Sequence, residues 1–345
     1  MCRVTKATVS HALRGNRRRV SEAKMTLIRR TADRLGYDAA SQHIARRLSL
    51  RKEGKTTLNR LVGLFFPPYF FEDTYYLKMV QGIMEALTAQ RFGLLASYDN
   101  APVSCGELPA SFVQGDVDGT LVVANPDSFT PVIEELRSRW GYGNRPIVSL
   151  IEQMETCSAV VADDRGGAFE AAGHLLELGH RRILYLAAGS TDAGVCRDRI
   201  AGYRDAYEAL ELHPADHLCV CDTIGGARDG MRQAAARMLD AHPDVTAILA
   251  PNDMCAVWIH EVLAERGLRV PQDMSLIGFD DARPLLDDAG ENILTTVRVP
   301  LEDIGRRAAQ LVVDLVKDQN VSERHLVLPT ELVTRASTAP PVSLC

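Results

Sequence analysis

Lys6, Ala7, Ser10, His11 and Arg14 are separated by one, three, one and three residues, which places all five on one side of a helix. They are small or hydrogen-bonding side chains, and the chemistry open to them is recognition. Such a face can enter a major groove and meet base edges or phosphates. The stretch that carries them is TKATVSHALRG, residues 5–15. Thr5 can cap the first turn, Val9, Ala12 and Leu13 form an inner apolar stripe, and Gly15 can supply a positive-φ stop. Taken alone, the stretch fits an ordinary amphipathic helix as well as a groove reader.

Charge separates the two ends of the chain. Net charge is −6, yet residues 1–60 hold 16 Lys and Arg against 4 Asp and Glu, leaving 23 against 41 for the rest. The basic end is expected to meet a polyanion, a solvated basic tail being the plainer reading. A chain of 345 residues, 46% hydrophobic and 6% aromatic, has material for two or three domains with full cores.

Several classes are excluded by what the residues lack. No apolar run approaches 18 residues and no apolar segment with a small-residue cleavage site opens the chain, so a cytoplasmic protein with no membrane partner is expected. Eight scattered cysteines include one C-x-C and no C-x-x-C, a pattern of reduced packing thiols. His260-Glu261 has no second histidine to complete a zinc motif, and phosphate-loop and serine-elbow patterns are absent. No enzyme, metal or cofactor is expected.

The elements that must position a recognition face follow in order. Ser21 can cap a second helix with Met25, Ile28, Ala32 and Leu35 inward and Gly36 at its end, giving a headpiece over residues 1–37. Residues 38–60 read as a linker, with a short pattern around Ile44 and Leu48 among arginines. Nine apolar runs then alternate with helical patterns: 61–66, 93–97, 117–124, 146–151, 159–163, 181–188, 217–222, 245–251 and 274–281. Helices over 197–210, 229–241 and 254–266 fill three of the gaps. Two successive sets of this kind imply an α/β chain with two doubly wound parallel sheets and a ligand position between them.

The order and spacing of several motifs resemble the lac repressor family of bacterial transcription regulators from Val4 almost to the end of the chain. They are VTKATVSHALRG (4–15), DTYYLKMVQGI (73–83), AFEAAGHLLELGHRRI (168–183), RIAGYRDA (199–206), ILAPNDMCA (248–256), RGLRVPQDMSLIGFDD (266–281) and LTTVRVPLEDIGRRA (294–308). The resemblance implies a helix-turn-helix headpiece, a hinge, and a core like that of periplasmic sugar-binding proteins, dimeric and gated by a ligand. It divides the core into a first lobe, 61–162 plus 293–322, and a second, 163–292 plus 323–340. It implies pairing through helices near 75–90 and 105–140.

Two departures bear on DNA binding. The family carries a helix before the turn, whereas Met1, Cys2 and Arg3 stand where only the turn should be, so an incomplete, unfolded or fluctuating headpiece is expected, with a start codon upstream or a core-only relative as explanations. Tyr37 is followed by DAAS without a proline, and the A-R-R-L match at Ala45–Leu48 comes about two residues late. By resemblance Leu48 is the wedge pushed into the minor groove and Arg46 and Arg47 meet phosphates, as Arg17, Arg18 and Arg19 would from the headpiece loop.

For the effector, the resemblance carries over Arg199 in RIAGY, Asn252 in PND and Asp280 in GFDD. A carboxylate accepts from adjacent hydroxyls, a guanidinium donates as a fork and an amide does both, which suits a sugar or sugar derivative. Each has a plainer alternative: Asp280 and Asp281 as caps, Asn252 as the cap of a helix near Met254, and Arg199 paired with Asp198 or Asp205 on its own helix. Tyr75 and Tyr76 can stack on a sugar ring, Asp163 is a further candidate, and Val299 stands where relatives carry a polar residue. The expected function is an effector-controlled regulator, most readily a repressor, that binds operator DNA as a homodimer. The alternative is an effector-binding core without specific DNA binding.

Overall fold

The computed structural model describes residues 5–13, 18–34, 58–66, 74–98, 112, 116–123, 133–134, 137, 145–154, 156–188, 194–213, 218–221, 228–318 and 324–342. It divides into two units, Met1–Asn59 and Arg60–Cys345.

The first unit contains helices α1 (Lys6–Leu13) and α2 (Glu22–Arg34). Thr5 caps α1, its Oγ1 accepting from Thr8 N at 3.3 Å. The predicted inner residues Ala12, Met25 and Ile28 are buried with Val20, and Val9 packs against them. Val20, Met25 and Ile28, each worth about 1.5–3 kcal/mol, and the smaller Ala12 make a small core. Among the expected DNA contacts, Thr5, Ala7 and Arg18 are exposed and His11 is half-buried. Arg14, Arg17, Arg46, Arg47 and Leu48 lie outside the described residues, as do the side chains of Lys6 and Ser10.

All nine apolar runs of the second unit are strands. β1 (Leu61–Phe66), β2 (Gly93–Tyr98), β3 (Gly119–Val122), β4 (Ile147–Ser149) and β5 (Ser158–Ala162) form one sheet. β6 (Ile183–Ala188), β7 (Leu218–Cys221), β8 (Ala247–Leu249) and β9 (Ser275–Asp280) begin the other. Three short strands were not legible: β10 (Thr295–Arg298), β11 (His325–Leu328) and β12 (Glu331–Val333). The orders are β11-β5-β4-β3-β1-β2 and β12-β10-β9-β8-β6-β7, parallel throughout except for β12. In each sheet the order reverses beside the first strand, between β1 and β3 and between β6 and β8, the crevice where open α/β sheets take ligands.

Helices α3 (Thr74–Ala89) and α8 (Leu301–Lys317) pack on the first sheet. The second is covered by α4 (Asp164–Glu177) and α5 (Gly194–Glu208) on one face and α6 (Arg228–Ala241) and α7 (Asp253–Glu265) on the other. Along β6, Ile183, Tyr185 and Ala187 join the first cover while Leu184 and Leu186 join the second, the two-residue period of a strand buried on both faces. α3 and α8 cross at two glycines. A β-carbon on Gly82 would fall 1.9 Å from Glu302 O, and one on Gly305 2.0 Å from Met79 O.

The chain passes between lobes three times, and two lobe boundaries differ from expectation. β10 pairs with β9, so residues 295–298 belong to the second lobe, not the first. The buried hydroxyls of Thr295 and Thr296 find their partners there, in Arg335 O and Asp253. β11 pairs with β5, so residues 325–328 belong to the first lobe. The crossings are tied at their centre: Asp163 N donates to Leu328 O at 2.8 Å and Thr330 Oγ1 to Asp163 O at 3.1 Å.

Candidate functional site

Gly202 determines where Arg199 goes. A β-carbon at that position would lie 2.0 Å from Arg165 O, so its absence lets α5 lie directly on the first turn of α4. The close approach puts Arg199, 9% exposed, against Asp164. Arg199 Nε donates to Asp164 Oδ1 at 2.7 Å and Nη1 donates to Pro251 O at 2.6 Å. Nη2 stands 3.6 Å from Asp280 Oδ1, and the guanidinium carbon lies 3.5 Å from the Phe279 ring centroid. One guanidinium is therefore bracketed by two buried carboxylates and stacked on an aromatic face, which suits its planar, charge-spread geometry. Burial opposes the Arg199 charge, and the two aspartates outweigh it, raising its pKa above the ordinary value. Burial pushes the Asp164 carboxyl up, and Arg199 opposes that rise.

The expected local partners of Arg199 are engaged elsewhere. Asp198 pairs with Arg197 at 3.0 Å, and Asp205 takes Arg165 Nε at 2.6 Å and Nη2 at 3.0 Å. The geometric reason is orientation: Arg199 points into the α4 contact, whereas Asp198 and Asp205 are partly exposed.

Asp280 ends β9 with φ +106 and Asp281 follows at +51. A non-glycine residue at the first angle carries a cost on the order of 1–3 kcal/mol and persists where the surroundings hold it. Those surroundings are visible. Asp253, 1% exposed, accepts from Ala282 N at 2.8 Å, Arg283 N at 3.2 Å and Thr296 Oγ1 at 2.5 Å, so it pins the loop that leaves Asp280. Burial raises the Asp253 pKa to about 6, against the pull of those donors. The Asp281 carboxylate takes Arg298 Nε and Arg335 Nη2, each at 2.8 Å. Burial pushes its pKa up, and the two arginines hold it below the usual carboxylate range.

The remaining expected residues divide. Asn252 and Asp163 are N-caps: Asn252 Oδ1 accepts from Cys255 N at 2.8 Å and Asp163 Oδ1 from Gly166 N at 2.9 Å. Tyr75 and Tyr76, both half-buried, meet edge to face with centroids 5.1 Å apart in the first turn of α3. That turn abuts the carboxyl end of β9, because Lys78 Nζ donates to Asp281 O at 2.9 Å. Val299 is buried in the core, its N–H directed at Asp280 O at 3.4 Å. The structure thus brings Arg199 and Asp280 together and sets the tyrosine turn beside them. Asp164, Asp253, Phe279 and Lys78 were missed. The Asp-Asp pair at 163–164 was the available signal for the first.

Among the described residues no helix is long and apolar enough to cross a membrane, and no group of three or more His, Cys, Asp or Glu is placed to hold a metal.

A domain family described as periplasmic binding protein-like matches residues 172–338. The HTH-type transcriptional regulator CelR of Thermobifida fusca is 30% identical over 336 residues, covering 97% of this chain and 95% of that one. The HTH-type transcriptional repressor CytR of Escherichia coli K12 is 28% identical, covering 97% of this chain and 93% of its own length. The solved structure of a CelR–cellobiose complex matches with a TM-score of 0.71 at 27% identity, covering 97% of this chain and 96% of that one.

Proposed function

Because the chain belongs to the lac repressor (LacI) family of helix-turn-helix transcriptional regulators, we propose that it is a repressor that binds operator DNA as a homodimer under control of a small sugar-like effector held between its lobes. The single observation that carries the reading is Arg199 bracketed by Asp164, at the start of α4 after β5, and Asp280, at the carboxyl end of β9. A guanidinium already engaged by a carboxylate and a carbonyl has little left for an anion, while the neighbouring carboxylate accepts from hydroxyls. Asn252 spends Oδ1 on its cap, which leaves its amide nitrogen as a donor to the same ligand. Tyr75 and Tyr76 supply the ring faces, and Asp163 remains a candidate through its second carboxylate oxygen. The relative solved with cellobiose supports a sugar, and the repressor among the relatives supports the sign of control.

On the DNA side, α1 is the groove reader. Thr5, Lys6, Ala7, Ser10, His11 and Arg14 meet base edges and nearby phosphates, Arg18 and Arg46 meet phosphates, and Leu48 is the minor-groove wedge. Dimerisation is supported by Leu77 and Met84, two large apolar side chains 45% and 54% exposed on α3. An apolar face on one subunit is covered by its own copy in a two-fold dimer.

A thermal-shift screen of the full chain against neutral mono- and disaccharides, cellobiose and ribose among them, tests the effector. A ligand at 100 times its Kd adds about 2.7 kcal/mol of stability. Any sugar that stabilises the protein is then added to a gel shift on a palindromic DNA library. Stabilisation together with sugar-dependent release from a selected sequence is expected, and a screen in which no sugar stabilises the chain overturns the effector reading.

A further inference from the structure

Two charged side chains of the first lobe end on main-chain groups of the second. Lys78, half-buried on α3, donates from Nζ to the carbonyl of Asp281 at 2.9 Å. That carbonyl is firmly placed, because the Asp281 carboxylate is held by Arg298 and Arg335 and the next two amides by Asp253. The other contact comes from Glu152, 8% exposed in the segment after β4. Its carboxylate lies on Gly194, the first residue of α5: a β-carbon there would be 1.9 Å from Oε2 and 2.4 Å from Oε1, at a φ of +53. The glycine is what lets the carboxylate reach the amino end of the helix, where the peptide dipoles present positive charge. An ammonium thus donates to a carbonyl, and a carboxylate packs against the first residue of a helix.

Each contact grips the element that carries one ligand candidate. Asp281 directly follows Asp280, and α5 carries Arg199. Lys78 lies one helical turn beyond Tyr75 and between the exposed Leu77 and Met84. We propose that Lys78 and Glu152 are positioning residues, a pair of interlobe latches that set how far the lobes close and carry the position of Asp280 and Arg199 to α3. Neither acts by touching the effector. The proposal rests on the reading of a ligand between the lobes for its consequence, and the latches themselves are tested without one.

The test is hydrogen–deuterium exchange of the full, ligand-free chain by mass spectrometry. Lys78→Met is expected to speed exchange in 74–80 and 280–283 roughly tenfold, with α6 and α7 unchanged, and Lys78→Arg to restore slow exchange. Glu152→Gln, which keeps shape and removes charge, is expected to speed exchange over 194–200. Unchanged exchange in both neutral variants overturns the proposal. So does acceleration spread over the whole chain that Lys78→Arg does not reverse, since that marks general loss of packing. If Lys78→Met fails to fold, the isosteric Glu152→Gln decides. Local acceleration with no sugar hit in the thermal screen leaves the latches standing and removes the sugar reading; a sugar hit with unchanged exchange does the reverse.

Discussion

Arg199 and Asp164 are 35 residues apart in sequence and 2.7 Å apart in space, Nε to Oδ1, on two helices held together by a missing β-carbon at Gly202. Removing one partner of a buried pair costs about 3–5 kcal/mol where the other charge is left uncompensated; Asp280, 3.6 Å from Nη2, keeps part of the compensation for Arg199, so that range is an upper bound here. Asp164→Ala is therefore expected to lower the unfolding free energy of the second unit by up to that amount, read as a lower urea midpoint at unchanged slope. Asp164→Ala combined with Arg199→Leu should cost less than the sum of the two single changes, because each single change already breaks the pair. Additive losses in that cycle would show that the two side chains do not act as a pair.

Asp280 stands differently in the same cluster: at 3.6 Å it is a looser neighbour of Arg199, and its carboxylate is the group proposed to accept from ligand hydroxyls. Asp280→Ala is expected to weaken binding of a sugar found in the screen by about 1.5–3 kcal/mol, as for hydrogen bonds to a charged group. Isothermal titration calorimetry reads the change directly. Unchanged affinity would reduce Asp280 to a brace for Arg199.

These two residues also show what the sequence could and could not tell. Most of the nine apolar runs were readable because strands buried on both faces must be continuously apolar; β2, half-buried at a sheet edge, was readable only as a short apolar run. β10 escaped because its buried residues Thr295 and Thr296 look polar until Asp253, Arg335 and Ser337 are beside them. β11 escaped because it alternates exposed and half-buried residues at a sheet edge. Arg199 was found through the RIAGY motif, but its partner was sought on its own helix, next door at Asp198 or six residues on at Asp205. Pairing across two helices depends on how they dock, and only Gly202 hinted at that. Asn252 and Asp163, named as ligand contacts, also cap helix starts, a job that Asn and Asp commonly do.

Asp253 gives the site a pH dependence. Its pKa is raised by burial from the ordinary 3.8 to about 6. A folded state that binds the proton more tightly gains stability that is full below about pH 4 and lost as pH rises through 6. Between pH 4 and 7 the wild type should therefore lose on the order of 3 kcal/mol relative to Asp253→Asn, which carries no titrating group there. Urea denaturation of both proteins across that range measures the difference. Parallel curves would show that the Asp253 carboxyl titrates normally.

The α3 surface makes a prediction about assembly. Leu77 and Met84 stand seven residues apart, two helical turns, so they share one face, and both are about half exposed. Leu77→Glu with Met84→Glu places two negative charges on each side of a two-fold contact, where they repel across the axis. Light scattering at micromolar concentration should find the wild type a dimer and the double variant a monomer with unchanged helix content. Leu210→Glu, an equally exposed leucine on the second lobe, should leave the dimer intact. A dimeric double variant would place the interface elsewhere.

For DNA, the proposed contacts are of two kinds. His11 lies on α1, half-buried, on the same side as the exposed Ala7; Arg18 and Arg19 are exposed in the turn before α2. A side chain on the recognition helix reads base edges, so replacing it changes discrimination at a single position by about 1–3 kcal/mol. A turn arginine meets phosphate, which carries no sequence, so its loss weakens binding to every sequence and lowers the salt slope by roughly one ion. His11→Ala is expected to flatten preference at one base pair of a selected operator while leaving the salt slope alone. Arg18→Ala is expected to leave the preferred sequence unchanged and shift all affinities together. Fluorescence anisotropy on a set of single-base operator variants at several salt concentrations reads both quantities from the same samples. If Arg18→Ala changes the sequence preference and His11→Ala only the salt slope, the assignment of α1 to the groove and of the turn to the backbone is reversed, and α1 is not the recognition helix.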